Sequence, residues 1–501
     1  MKPKPQLLLL IFFILLISPG PGRTVHLPMR ADYQSQNTSV CNTVTGLNYT
    51  SIQDAIDAPE TLSGHTILVG SNIYNENIRI NKSLTIKGVG HSSTIIDGGG
   101  LGTVVYIGVN HVSISGLAIT NGGSNGLPLE ENSGIFLDHC SGSNISHNAV
   151  TRCQYGIYLF HSYGNILTNN NISECYEEGV WLYHSGENVL ADNQMVNNRY
   201  NFGVFGSNSA DFSNSIEITN TAEGKPVLYM SDVSDTVFDE KTNASCLYLI
   251  KCSNVTVANL SLSGNGHGIL LWNASSSVIQ NLTVSNNNYG IYLQNSAENR
   301  VADCYCLENW VGICLEDSCG NTVETVNLQS NEKGLSLYKA HNNTIIGCTS
   351  KANLYGIRLF ASSLNTAHHN NLIENKYQVH LINSRQNYWN SKSTGNYWSD
   401  YTERYPNSSH DEFNILSMAY VLDGSNQDRF PVRNLLWNPG DVNHDLGVDI
   451  SDILYADHAY DSKVSESNWN PHCDVAQPCG VIDIFDIVII ARSFGEKQTS
   501  T

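Results

Sequence analysis

Apolar residues in this chain alternate with others in short runs that open on a glycine, and the runs return at a fixed interval. GILL at Gly268, GIYL at Gly290, GICL at Gly312, GLSL at Gly334 and GIRL at Gly356 are each 22 residues apart, and QVHL at Gln378 continues the count. Upstream, Gly134, Gly156, Gly179 and Gly203 open similar runs at steps of 22, 23 and 24. A fixed period of this length marks stacked repeats, none of which buries its apolar face without its neighbours. The period of two inside each run predicts strands rather than helices.

Aligning the runs on their glycine draws a cross-section. Offsets one and three are apolar, as at Ile157 and Leu159, Ile291 and Leu293, and Ile357 and Leu359, and are assigned to the interior. Offset six is small, as at Ser162, Ser185 and Ser318. Offset nine is asparagine at Asn165, Asn188, Asn299, Asn321, Asn343, Asn365 and Asn387, a residue expected to take a left-handed turn and to hydrogen-bond to its stacked copies. The pattern predicts an all-β fold, a single-stranded parallel β-helix over residues 48–431, with an excursion from the repeat at 206–245. SIQDAID predicts a short helix that covers the first coil with Ile52, Ala55 and Ile56, and the aromatic cluster from Trp389 to Tyr401 is expected to close the other end.

The remaining segments change character. Lys2 and Lys4 precede the apolar run Leu7–Ile17, which reads as a signal peptide over 1–24, too short to span a bilayer. The expected location is therefore secreted or cell-surface, and no later segment is apolar enough to anchor the chain. A net charge of -20, from 46 acidic and 26 basic residues, argues against a nucleic-acid partner. Twelve N-x-S/T triplets are candidate glycan acceptors on such a chain. Among the 13 cysteines, Cys153 and Cys175 share offset nineteen on consecutive coils, a spacing that allows either a disulfide or stacked free thiols.

Residues 438–497 predict a small helical calcium module. In DVNHDLGVDISD, Asp441, Asn443, Asp445, Asp449 and Asp452 stand at loop positions one, three, five, nine and twelve, with the carbonyl of Gly447 at seven, the spacing that wraps oxygens around Ca²⁺. A second, degenerate loop runs from Asp474 to Asp486, where Cys473 and Cys479 are candidates for a disulfide. Ile450, Ile453 and Leu454, then Ile484, Ile487, Val488 and Ala491, predict two helices packed face to face.

Two resemblances follow. SIQDAID, IYNENIRINKSLTIKGVG, TIIDGGG, the repeated YGIYL with NSxxN, and GNYWSDY resemble the NosD-type right-handed β-helix family of the wider pectin-lyase-like group, over about three quarters of the chain. This implies the fold. For activity it offers copper maturation or sugar binding. GDVNHDLGVDISDIL resembles a dockerin, which implies a cohesin-type protein partner.

Offsets two and four point outward and carry Tyr158, Phe160, Trp181, Tyr183, Trp272 and Tyr292. These are the candidate carbohydrate-binding residues, a lane on which sugar rings would stack, unless the rings pack on each other or beneath the 206–245 excursion. At offset five, His139, His161 and His184 are transition-metal candidates, with copper the first to try by family analogy. Asp138 beside His139 is the candidate acid and base. The reading is a secreted β-helix that binds glycan and docks through a calcium module; the alternatives are a polysaccharide hydrolase or lyase and a copper-handling factor.

Overall fold

The computed structural model describes residues 39–123, 132–411, 413–436, 440–442, 448–463, 470, 473, 475, 481–492 and 494. Offsets one and three are buried and stack in register: Ile135 lies opposite Ile157 and Leu137 opposite Leu159, and Ile291 lies opposite Ile313 and Leu293 opposite Leu315, in parallel ladders. Most coils contribute one six-residue strand, such as Glu178–Tyr183 or Tyr289–Gln294, and two three-residue strands. The result is the expected parallel β-solenoid with coils of about 22 residues.

The asparagine column forms a buried ladder. Asn299 Nδ2 donates to Asn321 Oδ1, Asn321 to Asn343 and Asn343 to Asn365, each at 3.1 Å. The left-handed residue of that turn is the one before the asparagine, for example Glu298, Asn342 and Leu364 at φ 58°, 55° and 60°. The expectation that the column itself takes the left-handed turn is thus corrected: its side chains are turned inward, where they need fixed partners. A second buried ladder, Asn287, Asn309, Asn331 and Asn353, lines another corner.

The first coil is closed as expected. Helix Ile52–Asp57, capped by Ser51, buries Ile52, Ala55 and Ile56. Its Gln53 amide covers the edge strand Ile78–Ile80, accepting from Arg79 N at 2.8 Å and donating to Arg79 O at 3.3 Å, so that a side chain stands in for a missing strand. At the other end Trp389 and Trp398 are buried, and Trp398 Nε1 donates to Asp428 Oδ2 at 2.9 Å.

The excursion does more than interrupt the count. Thr221–Ala222 turns back antiparallel onto Lys225–Ser231, which then pairs in parallel with Cys246–Ile250. Through this hairpin a short-strand sheet of the first half, ending at Gln194–Val196 and Thr221–Ala222, continues into the long-strand sheet of the second half as one 15-stranded sheet. The first half's own long-strand sheet ends at Tyr200–Phe205. The two long-strand faces are therefore two surfaces rather than one lane.

They press together at the junction. Asn201 N donates to Gly264 O at 2.7 Å and Gly266 N to Phe202 O at 2.9 Å. Asn288 Nδ2 reaches Glu178 Oε1 at 3.4 Å, and Gln294 Nε2 donates to Gly206 O at 3.0 Å. Gly203, expected in the repeat-glycine slot, lies instead opposite Trp181 at offset two, two residues further along the strand. A β-carbon there would stand 2.1 Å from Trp181 Cζ3, so the glycine makes room for the indole.

Helices Ile450–Ala459 and Ile484–Arg492 pack on each other, with Asp452, Ala456, Ala459, Asp486 and Ile490 buried. The expected stripe is corrected in part. Ile453 and Ile487 contact this core, but Ile450, Leu454, Ile484 and Val488 are exposed, because the buried residues follow one line along each helix and leave those four on its flank.

Candidate functional site

The long-strand face of the first half carries two ladders side by side. Phe160, Tyr183 and Phe205, at offset four of successive coils, stack with centroids 5.7 and 5.2 Å apart and planes within 9°. His139, His161 and His184 stack at 5.0 and 5.1 Å. Each imidazole stands edge-on to the aromatic beside it, at 4.4 Å for Phe160 and His161 and 4.5 Å for Tyr183 and His184. The histidine column occupies the left-handed corner that ends each long strand, at φ 50°, 45° and 48°; Asn273, Asn295 and Asp317 fill the same corner in the second half. Histidine, asparagine and aspartate are the side chains that best tolerate it.

An aspartate holds each end of the histidine ladder. Asp138 accepts from Tyr106 OH at 2.5 Å and lies 2.6 Å from His139 Nδ1. Burial pushes its carboxyl up, but the bonds from Tyr106 and His139 outweigh that and leave it below the usual range. Asp211, fully buried in the excursion, lies 2.9 Å from His184 Nδ1 and accepts from Tyr163 OH at 2.9 Å and Ser207 N at 2.8 Å. It too is held low against the effect of burial. His161, between two imidazoles, is pushed down by burial and by His184 and His139.

Of the six aromatic candidates, three stay at the surface and three do not. Phe160, Trp181 and Tyr183 are half-buried, whereas Tyr158, Trp272 and Tyr292 are 7%, 5% and 1% exposed. Trp272 lies under Phe212 of the excursion, and Tyr292 packs against both His267 and Tyr289, which also touch each other, and donates to Glu316 Oε2 at 2.5 Å. The placement of Tyr158, Trp272 and Tyr292 on an open lane is corrected: Tyr158 packs among Phe136, Tyr155 and Phe160 of its own face, and the junction of the two halves covers Trp272 and Tyr292. Sequence reasoning missed Tyr106 and Asp211, because neither falls in a clear repeat, and Tyr163 and Glu178, whose columns, at offset seven and just before the repeat glycine, were not followed.

Cys153 and Cys175 adopt the free-thiol arrangement, each donating to a carbonyl two residues back, of Thr151 at 3.3 Å and Ser173 at 3.6 Å. Both thiols point down the same column, and burial pushes Cys153 up to about 12. In the C-terminal module Asp441 and Asp452 are buried, and Asp449 caps the first helix by accepting from Ser451 N at 2.7 Å. Asn443, Asp445 and Gly447 lie outside the described residues, as does Cys479, the proposed partner of the buried Cys473.

The family model described as periplasmic copper-binding protein (NosD) matches residues 32–228 and 214–403. The chain belongs to the NosD family. A cell surface glycoprotein of Methanothermus fervidus is 38% identical over 112 residues, which are 22% of this chain and 17% of that protein. Among solved structures, a mannuronan C-5 epimerase A-module of Azotobacter vinelandii is 14% identical, with 67% of this chain and 94% of that one covered and a TM-score of 0.33. The catalytic domain of a GH87 α-1,3-glucanase is 13% identical, covering 66% and 65%, with a TM-score of 0.30.

The NosD description implies copper, and the described residues do not fit it. The three ladder imidazoles lie face to face, so their nitrogens run parallel instead of converging, and the Nδ1 atoms of His139 and His184 are engaged by Asp138 and Asp211. Among the described residues no three His, Cys, Asp or Glu side chains are grouped to hold an ion. The expectation that His139, His161 and His184 form a metal site is corrected on this geometry.

Proposed function

We propose that this is a non-catalytic β-helix protein of the cell surface that binds an extended glycan along the paired ladders of its first half and attaches to a partner protein through its C-terminal module. The observation that carries the reading is the pair of half-exposed ladders, which offers ring edges and imidazole N–H groups at a rung spacing near 5 Å. Such a spacing matches the rise of successive sugars in an extended chain and suits hydrogen bonding from the ladder with apolar contact beside it. The ring faces are taken up by their own neighbours, so binding uses edges rather than the face stacking expected of a bare lane.

Surface location is supported by the name of the Methanothermus relative, and among the described residues no helix is long and apolar enough to cross a membrane. For the module, buried Asp441 and Asp452 are carboxylates that a bound Ca²⁺ would neutralise. Exposed Ile450, Leu454, Tyr455, Ile484 and Phe485 form apolar surface of the kind a cohesin-type partner covers.

A polysaccharide lyase is the second reading, favoured by one observation: Tyr106 and His139 both bond to Asp138, which orients a largely exposed imidazole as a base. A hydrolase is disfavoured, since Asp138 and Asp211 are both held ionised and neither is the proton-carrying acid that such a pair needs. A glycan array with the full chain, followed by product analysis of what binds, tests both. Binding that is lost in Phe160→Ala and His161→Ala without product supports the first reading; unsaturated products overturn it, and so does an array with no binding.

A further inference from the structure

Twelve asparagines stand in N-x-S/T triplets, and eleven of them are among the described residues. All eleven are exposed. Asn48 and Asn81 lie on the first coils, Asn144 and Asn171 begin short strands, and Asn407 is in the closing segment. Asn243, Asn254, Asn259, Asn273, Asn281 and Asn342 take left-handed turns at φ between 45° and 58°, which lift the side chain out of the coil wall.

The remaining asparagine chemistry of this fold differs. Ladder asparagines spend both amide protons on the protein, as Asn321 Nδ2 does on Ser296 O, Cys319 O and Asn343 Oδ1. Two residues after many of them comes a core position, such as Leu167 after Asn165 and Val323 after Asn321, where a hydroxyl cannot sit. Of the eleven triplet asparagines, only Asn254 and Asn259 donate to another side chain among the described residues, to Asp235 and Glu240. The triplets are also unevenly placed. None falls on the long strands of the first half or on the histidine corner, between Ser133 and Phe205, although both flanking short-strand sheets carry one, at Asn144 and Asn171.

We infer that these exposed asparagines are N-glycosylation sites, and that their glycans clothe the turns and short-strand faces while leaving the paired ladders bare. The donor is a lipid-phosphate-linked oligosaccharide used by a transferase of the export pathway. The asparagine Nδ2 forms a bond to the anomeric carbon, the carbon–oxygen bond to phosphate breaks, and the amide proton leaves with the phosphate. A bulky, hydrated coat on those turns and short-strand faces would leave the ladder face open to a large partner. The inference does not depend on what that partner is.

The test is glycopeptide mass spectrometry of the full-length protein isolated from the cells that make it. The expected result is a glycan mass on most of the eleven and on none of the buried ladder asparagines, with Asn144→Gln and Asn281→Gln each losing one glycan mass and keeping the folded circular dichroism spectrum. Unmodified asparagine at most of the eleven overturns the proposal, and so does modification of Asn165 or Asn321.

Discussion

The ring of Phe212 stacks on that of Trp272, with centroids 4.8 Å apart and planes 28° from parallel. One belongs to the excursion and the other to the second half, so this contact pins the hairpin that redirects the sheets. Trp272→Ala should therefore behave as a core deletion, costing on the order of 3 to 5 kcal/mol in chemical denaturation. Phe160→Ala, at the half-exposed ladder, should cost about 1 kcal/mol or less and weaken glycan retention. Reversed rankings in denaturation and retention would place the binding surface at the junction.

The junction should respond to pH. Burial, with Glu177 adding to it, pushes the Glu178 carboxyl up to about 7, while Asn288 and Arg199 act in the other direction; Tyr200, Tyr248 and Tyr289 also face it. A carboxyl raised in the folded state contributes stability that is full below its ordinary value and lost as pH rises through about 7. Linkage puts the loss at about 3 kcal/mol. Thermal melts on either side of that pH should show a lower Tm on the alkaline side, and Glu178→Gln should flatten the dependence. An equal slope in the variant would assign the effect to other groups.

The asparagine ladder should propagate damage along the coil axis. Asn321→Ala removes three donations and leaves Asn299 N and Nδ2 without their acceptor, all in a buried corner. A cost of about 2 to 4 kcal/mol is expected, read from the denaturation midpoint, with hydrogen exchange rising on the neighbouring coils before distant ones. Uniform exchange along the solenoid would contradict local propagation.

Calcium should act on the C-terminal module alone. Asp441→Ala is expected to weaken Ca²⁺ binding at least tenfold in titration calorimetry and to leave the main melting transition of the coils in place. Unchanged binding heat would remove Asp441 from the site.

Much of this protein was legible along the chain. The 22-residue return of glycine and alternating apolar residues, the helix at Ile52–Asp57 and the closing tryptophans all describe local stacking, in which each coil meets only the coils beside it. A repeat of that kind writes its cross-section directly into the spacing of residues. The position of His139, His161 and His184 in one column followed from the same arithmetic.

What spacing could not reveal was which outward face meets which. That was decided by the hairpin at Thr221–Ser231, which passes the short-strand sheet of one half into the long-strand sheet of the other and folds the two outer faces together. Contacts such as Asn288 with Glu178, 110 residues apart, belong to no repeat. The coil follows from spacing, because inward and outward alternate at every residue of a strand. Which outward residues remain in water depends on how whole faces pack, and no periodicity records it.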